Sequence, residues 1–390
     1  MPNSSKPYAI WGKDIEPEAT AQMDNAVSLP VAVRGALMPD AHVGYGLPIG
    51  GVLATDNAVI PYAVGVDIAC RMKLTVLDWP VATLENKKKT LIDSLQRETR
   101  FGIGAEFKSP HDHAVMDQHW NFSKLTQGLK TKAWKQLGTS GSGNHFVEYG
   151  TLEITDATLG LPTGNYLALL SHSGSRGTGA TIADHYSKLA RQLHPELPKA
   201  LQHLAWLDLD SEAGQAYWQS MELMGHYAAA NHAIIHHKIA QALGAQVLLD
   251  IENHHNYAWR ETHDGKSVIV HRKGATPAGR GVLGIIPGSM TAPGFIVRGK
   301  GNSASLNSAA HGAGRRMSRT LAKKTFNWEM GREILAANQV TLISAGLDEL
   351  PMAYKDIETV MQQQSDLVEV SGVFQPRIVK MAPAGERPED

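Results

Sequence analysis

A single large α+β domain is what the sequence predicts, and three observations predict it. Short β-branched and apolar runs are broken by glycine, helical stretches are inserted between groups of such runs, and no regular strand-helix alternation or linker appears. At 390 residues the chain can bury a large core. Taken in order, residues 31 to 79 read as strands and turns, with Gly44, Gly46, Gly50 and Gly51 ahead of Val52-Leu53-Ala54, then Val59-Ile60 and Val64-Gly65-Val66. Spacing turns helical from Ala82 to Thr99. A glycine-rich turn from Thr139 then leads into strand-like Phe146-Val147. Tyr166 to Leu170 reads as a buried strand that delivers His172 to a flexible loop. Residues 179 to 243 carry helical patterning interrupted at Trp206 to Ser211, and Val247 to Ile251 returns to strand. Residues 266 to 300 are strands and glycine turns. A helix is expected to open near Gly312 and run through Lys324, and the polar tail from Ala382 to Asp390 is expected to fray. The domain is accordingly drawn at residues 1–381 and the tail at 382–390.

Composition excludes several function classes. Lys and Arg total 37 against 38 Asp and Glu, so no global charge steers the chain to an acidic partner, and nucleic-acid contact would need a local patch. One cysteine rules out an internal disulfide framework, and Met1 to Pro17 lacks the marks of a secretion signal. The longest apolar stretches fall far short of the roughly 20 residues that span a bilayer. A cytoplasmic protein without membrane contact is the expectation. What stands out is 18 histidines beside a single cysteine.

Those histidines divide between glycine-rich loops and helical faces. Five loop segments each offer a potential metal ligand: Asp67-Ile68-Ala69-Cys70, Asn144-His145, Ser171-His172, His254-His255-Asn256, and Asn307 to His311. A lone histidine is more often structural than a ligand, but the set together suggests more. A thiolate can bridge two cations, and mixed oxygen, nitrogen and sulfur donors suit manganese or zinc. Two such ions polarise a phosphoryl group. The segment His311-Gly312-Ala313-Gly314-Arg315 resembles a phosphate cradle at a helix start. Arg315, Arg316, Arg319, Lys323 and Lys324 follow with no carboxylate among them, enough cations for several phosphates, although a solvated basic helix face would look the same.

Other clusters favour packing. His232 and His236 are spaced like zinc-protease ligands, but Ala233 stands where the catalytic glutamate would be. His111, Asp112, His113, Asp117 and His119 lie in a polar stretch without strand-end geometry, and Met221, Met224 and Tyr227 read as core.

Longer blocks resemble the RNA-splicing ligase RtcB family over nearly the whole length. They include Met38-Pro39-Asp40-Ala41-His42, Gly65-Val66-Asp67-Ile68-Ala69-Cys70, Gly143-Asn144-His145-Phe146-Val147-Glu148 and His172-Ser173-Gly174-Ser175-Arg176-Gly177. Further along come His254-His255-Asn256-Tyr257, Ile286-Pro287-Gly288-Ser289-Met290, His311-Gly312-Ala313-Gly314-Arg315 and Pro351-Met352-Ala353-Tyr354-Lys355. The resemblance implies an RtcB-like α+β fold with mixed sheets and inserted helices. It also implies a site for two Mn2+ ions, with Cys70 bridging, His145 and His172 completing one, and Asp67 and His255 the other. His311 matches the nucleophile that takes GMP from GTP, and Asp40 the carboxylate that orients it.

The implied activity is joining of an RNA 3′-phosphate, or a 2′,3′-cyclic phosphate, to a 5′-hydroxyl through a guanylylated histidine. By the same resemblance, GTP contacts map to Asn144, His145, Phe146, Val147, Glu148, His255, Asn256, Pro287, Gly288, Ser289, Met290, Gly294, His311, Gly312, Ala313, Gly314 and Arg315. Lys380 matches the lysine that reaches guanine, and Arg316, Arg319 and Lys323 would meet RNA. DNA 3′-phosphates and an accessory activator are further partners of this reading. Tyr45 stands where lysine is usual, Ala69 and Arg71 replace glycines, and Thr291 replaces another; Tyr45 and Arg71 are expected beside the cleft. Two alternatives stay open: a 3′-phosphate guanylyltransferase that caps without sealing, and a non-catalytic RNA-binding homologue.

Overall fold

The computed structural model describes residues 7–387. Two sheets meet along a seam. The larger runs in the order Leu283–Ile286, Gly294–Gly299, Val368–Met381, Phe146–Ile154, Gly164–Ser173, Arg71–Leu77 and Val247–His254, with Thr341–Ser344 paired alongside Val368–Met381. Its neighbours are antiparallel except that last pair. Its two ends approach, because the Ile285 N–H donates to the Asn253 side chain at 2.9 Å. The smaller sheet runs Tyr8–Ile10, Ala32–His42, Ile49–Thr55, Lys266–Lys273 and Asn256–His263. The chain crosses from one sheet to the other at His255, between strands ending at His254 and beginning at Asn256. Mixed sheets with helices inserted between them are the α+β architecture that the sequence predicts.

Helices back the larger sheet. Glu212–Leu243 starts where the Ser211 side chain accepts from the Gly214 N–H, and it stops at left-handed Gly244. One end packs Ile235, Ile239 and Leu243 against Tyr149, Leu167 and Leu169 of the sheet; the other packs Tyr217, Met221, Met224 and Tyr227 among neighbouring helices. The interruption expected at Trp206 to Ser211 is a two-residue strand, Leu207–Asp208, paired with Ala58–Val59. Residues 82–99 form two helices, Thr83–Asn86 and Lys88–Glu98. No helix among the described residues is long and apolar enough to cross a membrane.

Two expectations are corrected. The helix drawn from Gly312 begins only at Arg319, where Ser318 caps it. Between them the backbone is bridged to 353–355: Arg316 N–H donates to Ala353 O at 3.0 Å, and Lys355 N–H to Gly314 O at 2.9 Å. Donors engaged in a bridge, with Gly314 at φ +73°, leave no continuous helical turn there. The tail is also anchored over its described part. Glu386 accepts from the Ile103 N–H, and Ser142 donates to Arg387 O. Residues 388–390 of the expected frayed segment lie outside the described residues.

His232 and His236 do pack. Ser171 Oγ lies 2.7 Å from a ring nitrogen of each, His236 Nδ1 lies 2.7 Å from Thr75 Oγ1, and His232 Nε2 lies 3.1 Å from Ser173 O. His271 lies between the Ile60 N–H and Leu53 O. Burial holds His271 down at about 4, and pushes His232 and His236 well below the usual imidazole range. These rings are neutral in the fold, whereas an unfolded histidine titrates near about 6.5. Above that pH their contribution to stability is fully present. Below it the unfolded chain takes up protons that the folded chain refuses, and stability falls by up to about 1.4 kcal/mol per pH unit for each ring. Urea unfolding in chelator should therefore give a clearly lower midpoint at pH 5.5 than at pH 7.5; an unchanged midpoint would refute the neutral assignment.

Candidate metal centre and nucleophile

The seam between the sheets gathers the candidate ligands. Cys70 immediately precedes the strand Arg71–Leu77, His145 the strand Phe146–Ile154, and His172 lies at the end of Gly164–Ser173. His255 N–H donates to Cys70 O at 3.0 Å, and Ala275 N–H to His255 O at 3.1 Å, which fixes the crossing residue between both sheets. Asn256 adds a tie, donating to Asp67 O at 3.2 Å and accepting from the Gly274 N–H at 2.7 Å. Gly174 cannot be replaced cheaply, since a Cβ there would lie 2.1 Å from the Asp67 carboxylate.

Five buried or nearly buried side chains then face one another. Cys70 Sγ lies 3.0 Å from His172 Nε2 and 3.5 Å from His145 Nε2, His172 Nε2 lies 3.2 Å from His255 Nε2, and His145 Nε2 lies 3.1 Å from Asp67 Oδ2. Two triads result, Cys70 with His172 and His255, and Asp67 with Cys70 and His145, each with its donor atoms within 4.8 Å. This corrects the expected partition: His145 goes with Asp67, and His172 with His255. His145 Nε2 contacts the Asp67 carboxylate, while His172 Nε2 meets the crossing residue. Cys70 is common to both triads.

The donor chemistry fits divalent metal. His172 Nδ1 lies 3.1 Å from Asn144 O and so carries the proton, which leaves its Nε2 lone pair toward Cys70 and His255. Burial depresses His172 to about 3 and His255 well below the usual range, so both are unprotonated and ready to ligate. Burial alone would raise the Asp67 carboxyl, but His145, Cys70 and Arg176 together outweigh it and keep Asp67 below the usual carboxylate range. One carboxylate, one thiol and three imidazoles suit zinc or manganese. Asp67 is further aimed by the Ser175 N–H at 3.0 Å.

His311 follows the strand Ser308–Ala310 and stands beside this cluster, its ring centroid 5.0 Å from that of His255. Its Nδ1 lies 2.7 Å from Asp40 Oδ2, and its backbone N–H donates to the same oxygen at 3.1 Å. Asp40 is fully buried. Proton on Nδ1 leaves the Nε2 lone pair for a nucleophilic role. Gly314 lets this happen, because a Cβ there would lie 2.2 Å from Asp40 O.

A cavity of about 800 Å³ joins these parts. It collects every residue expected to touch the nucleotide except Val147 and Lys380. Val147 points to the opposite face of its strand, into the core with Tyr149. Lys380 is also turned away: its ammonium donates to Leu95 O at 3.0 Å and Thr99 Oγ1 at 2.9 Å, while Val379 and Met381 line the cavity. A register shift between Pro376 and Ile378 sets that phase.

The basic run is not bare. Arg315 donates to Asp348 O at 2.9 Å, Arg319 pairs with Asp348 and Glu349, and Lys323 lies 3.5 Å from Asp348. Carboxylates from another segment neutralise Arg319 and Lys323, while exposed Arg316 remains at the cavity wall. Residues that sequence reasoning gave no role include Lys273, Glu349 and Tyr354 on the same wall; Tyr354 falls in a quoted block, but only the fold shows which way it faces.

The four departures also fall into place. Tyr45 lines the cavity mouth as expected. Arg71 does not: it is buried behind the cluster, 3.1 Å from Glu252 and from Gly225 O. Thr291 is buried and its carbonyl accepts from Gln375 at 3.1 Å. Ala69 adopts φ +58°, held by its N–H to Asn256 O at 2.7 Å. A left-handed alanine costs roughly 1–2 kcal/mol, and glycine there would give back roughly 0.5–1 kcal/mol in chain entropy. Ala69→Gly should thus leave stability equal or raise it by up to about 1 kcal/mol in denaturant unfolding. A loss greater than that would mean that the methyl group packs more favourably than the strain costs.

A model of the family described as tRNA-splicing ligase RtcB matches residues 22–381. The chain is 35% identical to the RNA-splicing ligase RtcB of Escherichia coli K12, with 95% of this chain and 96% of that one covered. It is 34% identical to RNA-splicing ligase RtcB1 of a second Escherichia coli strain at the same coverage. It is 30% identical to the tRNA-splicing ligase RtcB of Methanococcus maripaludis, over 96% of this chain and 92% of that one. On the whole-length match, the chain belongs to the tRNA-splicing ligase RtcB family.

Proposed function

We propose that this protein joins an RNA 3′-phosphate, or a 2′,3′-cyclic phosphate opened by water to the 3′-phosphate, to a 5′-hydroxyl, with GTP as the activating nucleotide. One observation carries the reading: His311 is held at Nδ1 by buried Asp40, with Nε2 left for attack, beside a cluster of metal ligands. A binding protein would have no need of that arrangement. The names of the relatives, RNA-splicing and tRNA-splicing ligases, support RNA as the substrate.

His311 Nε2 attacks the α-phosphorus of GTP; a P–N bond forms and pyrophosphate leaves with the electrons of the broken P–O bond. Asp40 stabilises the positive charge that the ring gains, since its carboxylate already holds the Nδ1 proton. An RNA 3′-phosphate oxygen then takes the guanylate, which restores the histidine and leaves a diphosphate-linked end. The 5′-hydroxyl attacks the 3′-phosphoryl group, and GMP departs. Cys70, His172, His255, Asp67 and His145 would hold two manganese ions, which supply Lewis acidity to the charged phosphoryl oxygens. Glu148 lies on the cavity wall, where burial raises its carboxyl well above the usual range. A guanine edge, with two N–H donors, is the partner that would stabilise its ionised form.

Incubation with manganese, labelled GTP and an RNA pair bearing the two ends tests this. Protein labelling with strand joining is the expected outcome. Labelling with only a guanylate-capped 3′ end would replace ligase by guanylyltransferase, and absence of both labelling and joining would sink the proposal; a DNA 3′-phosphate in place of RNA tests substrate range. His311→Ala should abolish labelling and retain metal binding measured by calorimetry, whereas Cys70→Ala should lose both. Labelling that survives His311→Ala would remove the nucleophile.

A further inference from the structure

The cavity mouth carries an aromatic residue that the chemistry above does not use. Tyr45 is 67% exposed, and it shares the rim with Val43 at 47% and Leu321 at 50%. Exposed apolar side chains around the opening of a cavity of nucleotide size call for a partner that is itself flat and partly apolar.

The loop that presents Tyr45 is held rigidly. Lys273 Nζ donates to Tyr45 O at 2.6 Å and to Leu47 O at 3.1 Å. Gly44 N–H donates to Gln22 at 3.0 Å, and Gln22 donates back to Gly44 O. Gly46, at φ +73°, lies so close to the 203 backbone that a Cβ would sit 2.7 Å from His203 O. The Tyr45 ring meets His203 edge-on at 5.8 Å between centroids, and His203 meets Tyr62 edge-on at 4.7 Å. Among the described residues the Tyr45 hydroxyl has no hydrogen-bond partner, so it is the ring and not the oxygen that this clamp displays.

We propose that Tyr45 is a stacking platform for the terminal nucleobase of a strand end entering the cavity, a substrate-binding residue of the reaction proposed above, on which this inference rests. A base stacks on an aromatic ring whatever its identity, which suits an enzyme that must accept varied ends. Rigidity matters because a platform fixed by Lys273 and Gln22 loses little freedom when the base arrives. Either the 3′-phosphate strand or the 5′-hydroxyl strand could supply the base.

The test measures binding of short single strands by fluorescence anisotropy. One set ends in a 3′-phosphate and the other in a 5′-hydroxyl, each with the terminal base present or replaced by an abasic sugar. In the wild-type protein, base removal should weaken binding roughly tenfold in at least one set, and that set names the strand. Tyr45→Ala should bind with and without the terminal base equally, while Tyr45→Phe should keep the wild-type difference. Wild-type binding that is absent or indifferent to the base in both sets, or Tyr45→Ala with the full wild-type difference, would overturn the proposal. Thermal unfolding checks that the variants fold. GTP labelling of wild-type protein is scored separately, so a failed ligase reading would appear as absent labelling with the base effect intact.

Discussion

Everything at the site depends on the backbone of His255, which belongs to neither sheet and is hydrogen-bonded to both. Its N–H holds the Cys70 carbonyl at the start of a strand of the larger sheet, and its carbonyl accepts from Ala275 beyond the last residue of a strand in the smaller. That one residue sets the spacing between the thiol and His311, because Gly274, beside Ala275, packs on the His311 ring; a Cβ there would lie 3.0 Å from it. A shift between the sheets would therefore move His255, Cys70 and His311 relative to one another. Positioning by rigid elements rather than by long loops is what phosphoryl transfer demands, since little of its catalysis comes from covalent chemistry by the protein.

Burial gives this seam its chemical character. At His172 and His255 burial keeps the imidazole neutral, and an imidazole nitrogen with a free lone pair can be a ligand or a nucleophile where an imidazolium is neither. The two uses are separated by what sits on Nδ1. For His172 it is the neutral carbonyl of Asn144, which fixes a tautomer without adding charge. For His311 it is the carboxylate of Asp40, which can answer the positive charge that develops when Nε2 forms a bond. The same ring type is thus suited to a ligand or to a nucleophile role according to its second hydrogen bond.

Much of this was legible in the sequence, and what was not has a common cause. Strand ends that deliver Cys70, His145 and His172, and the packing of His232 and His236, follow from local pattern and from the family blocks. The pairing of His172 with His255 does not, because it depends on which strands are neighbours, and 83 residues separate the two. Arg319 and Lys323 look unpaired in the sequence since their carboxylates, Asp348 and Glu349, arrive from a later segment. Lys380 misleads for a different reason: a bulge earlier in its strand resets which face each side chain takes. Strand phase and cross-chain charge are properties of the assembled fold.

The residues behind the cluster explain how it tolerates an arginine at position 71. Directly after Cys70, which both triads share, a flexible cation turned inward would disfavour a metal ion there. Instead strand alternation sends Arg71 to the opposite face from Met72, where Glu252 and the Gly225 carbonyl hold it. Its burial is costly unless those partners are kept, so Glu252 and the long helix are coupled to the metal loop through this side chain. On the same side, Thr75, His236, Ser171 and His232 form a buried hydrogen-bonded chain that starts from exposed Asp250 and ends at Ser173 O, with members on both sides of His172 in sequence. A fully satisfied polar network of this kind admits few alternative arrangements. It holds the strand end that carries His172 in place from behind, while the cavity side remains free for substrate.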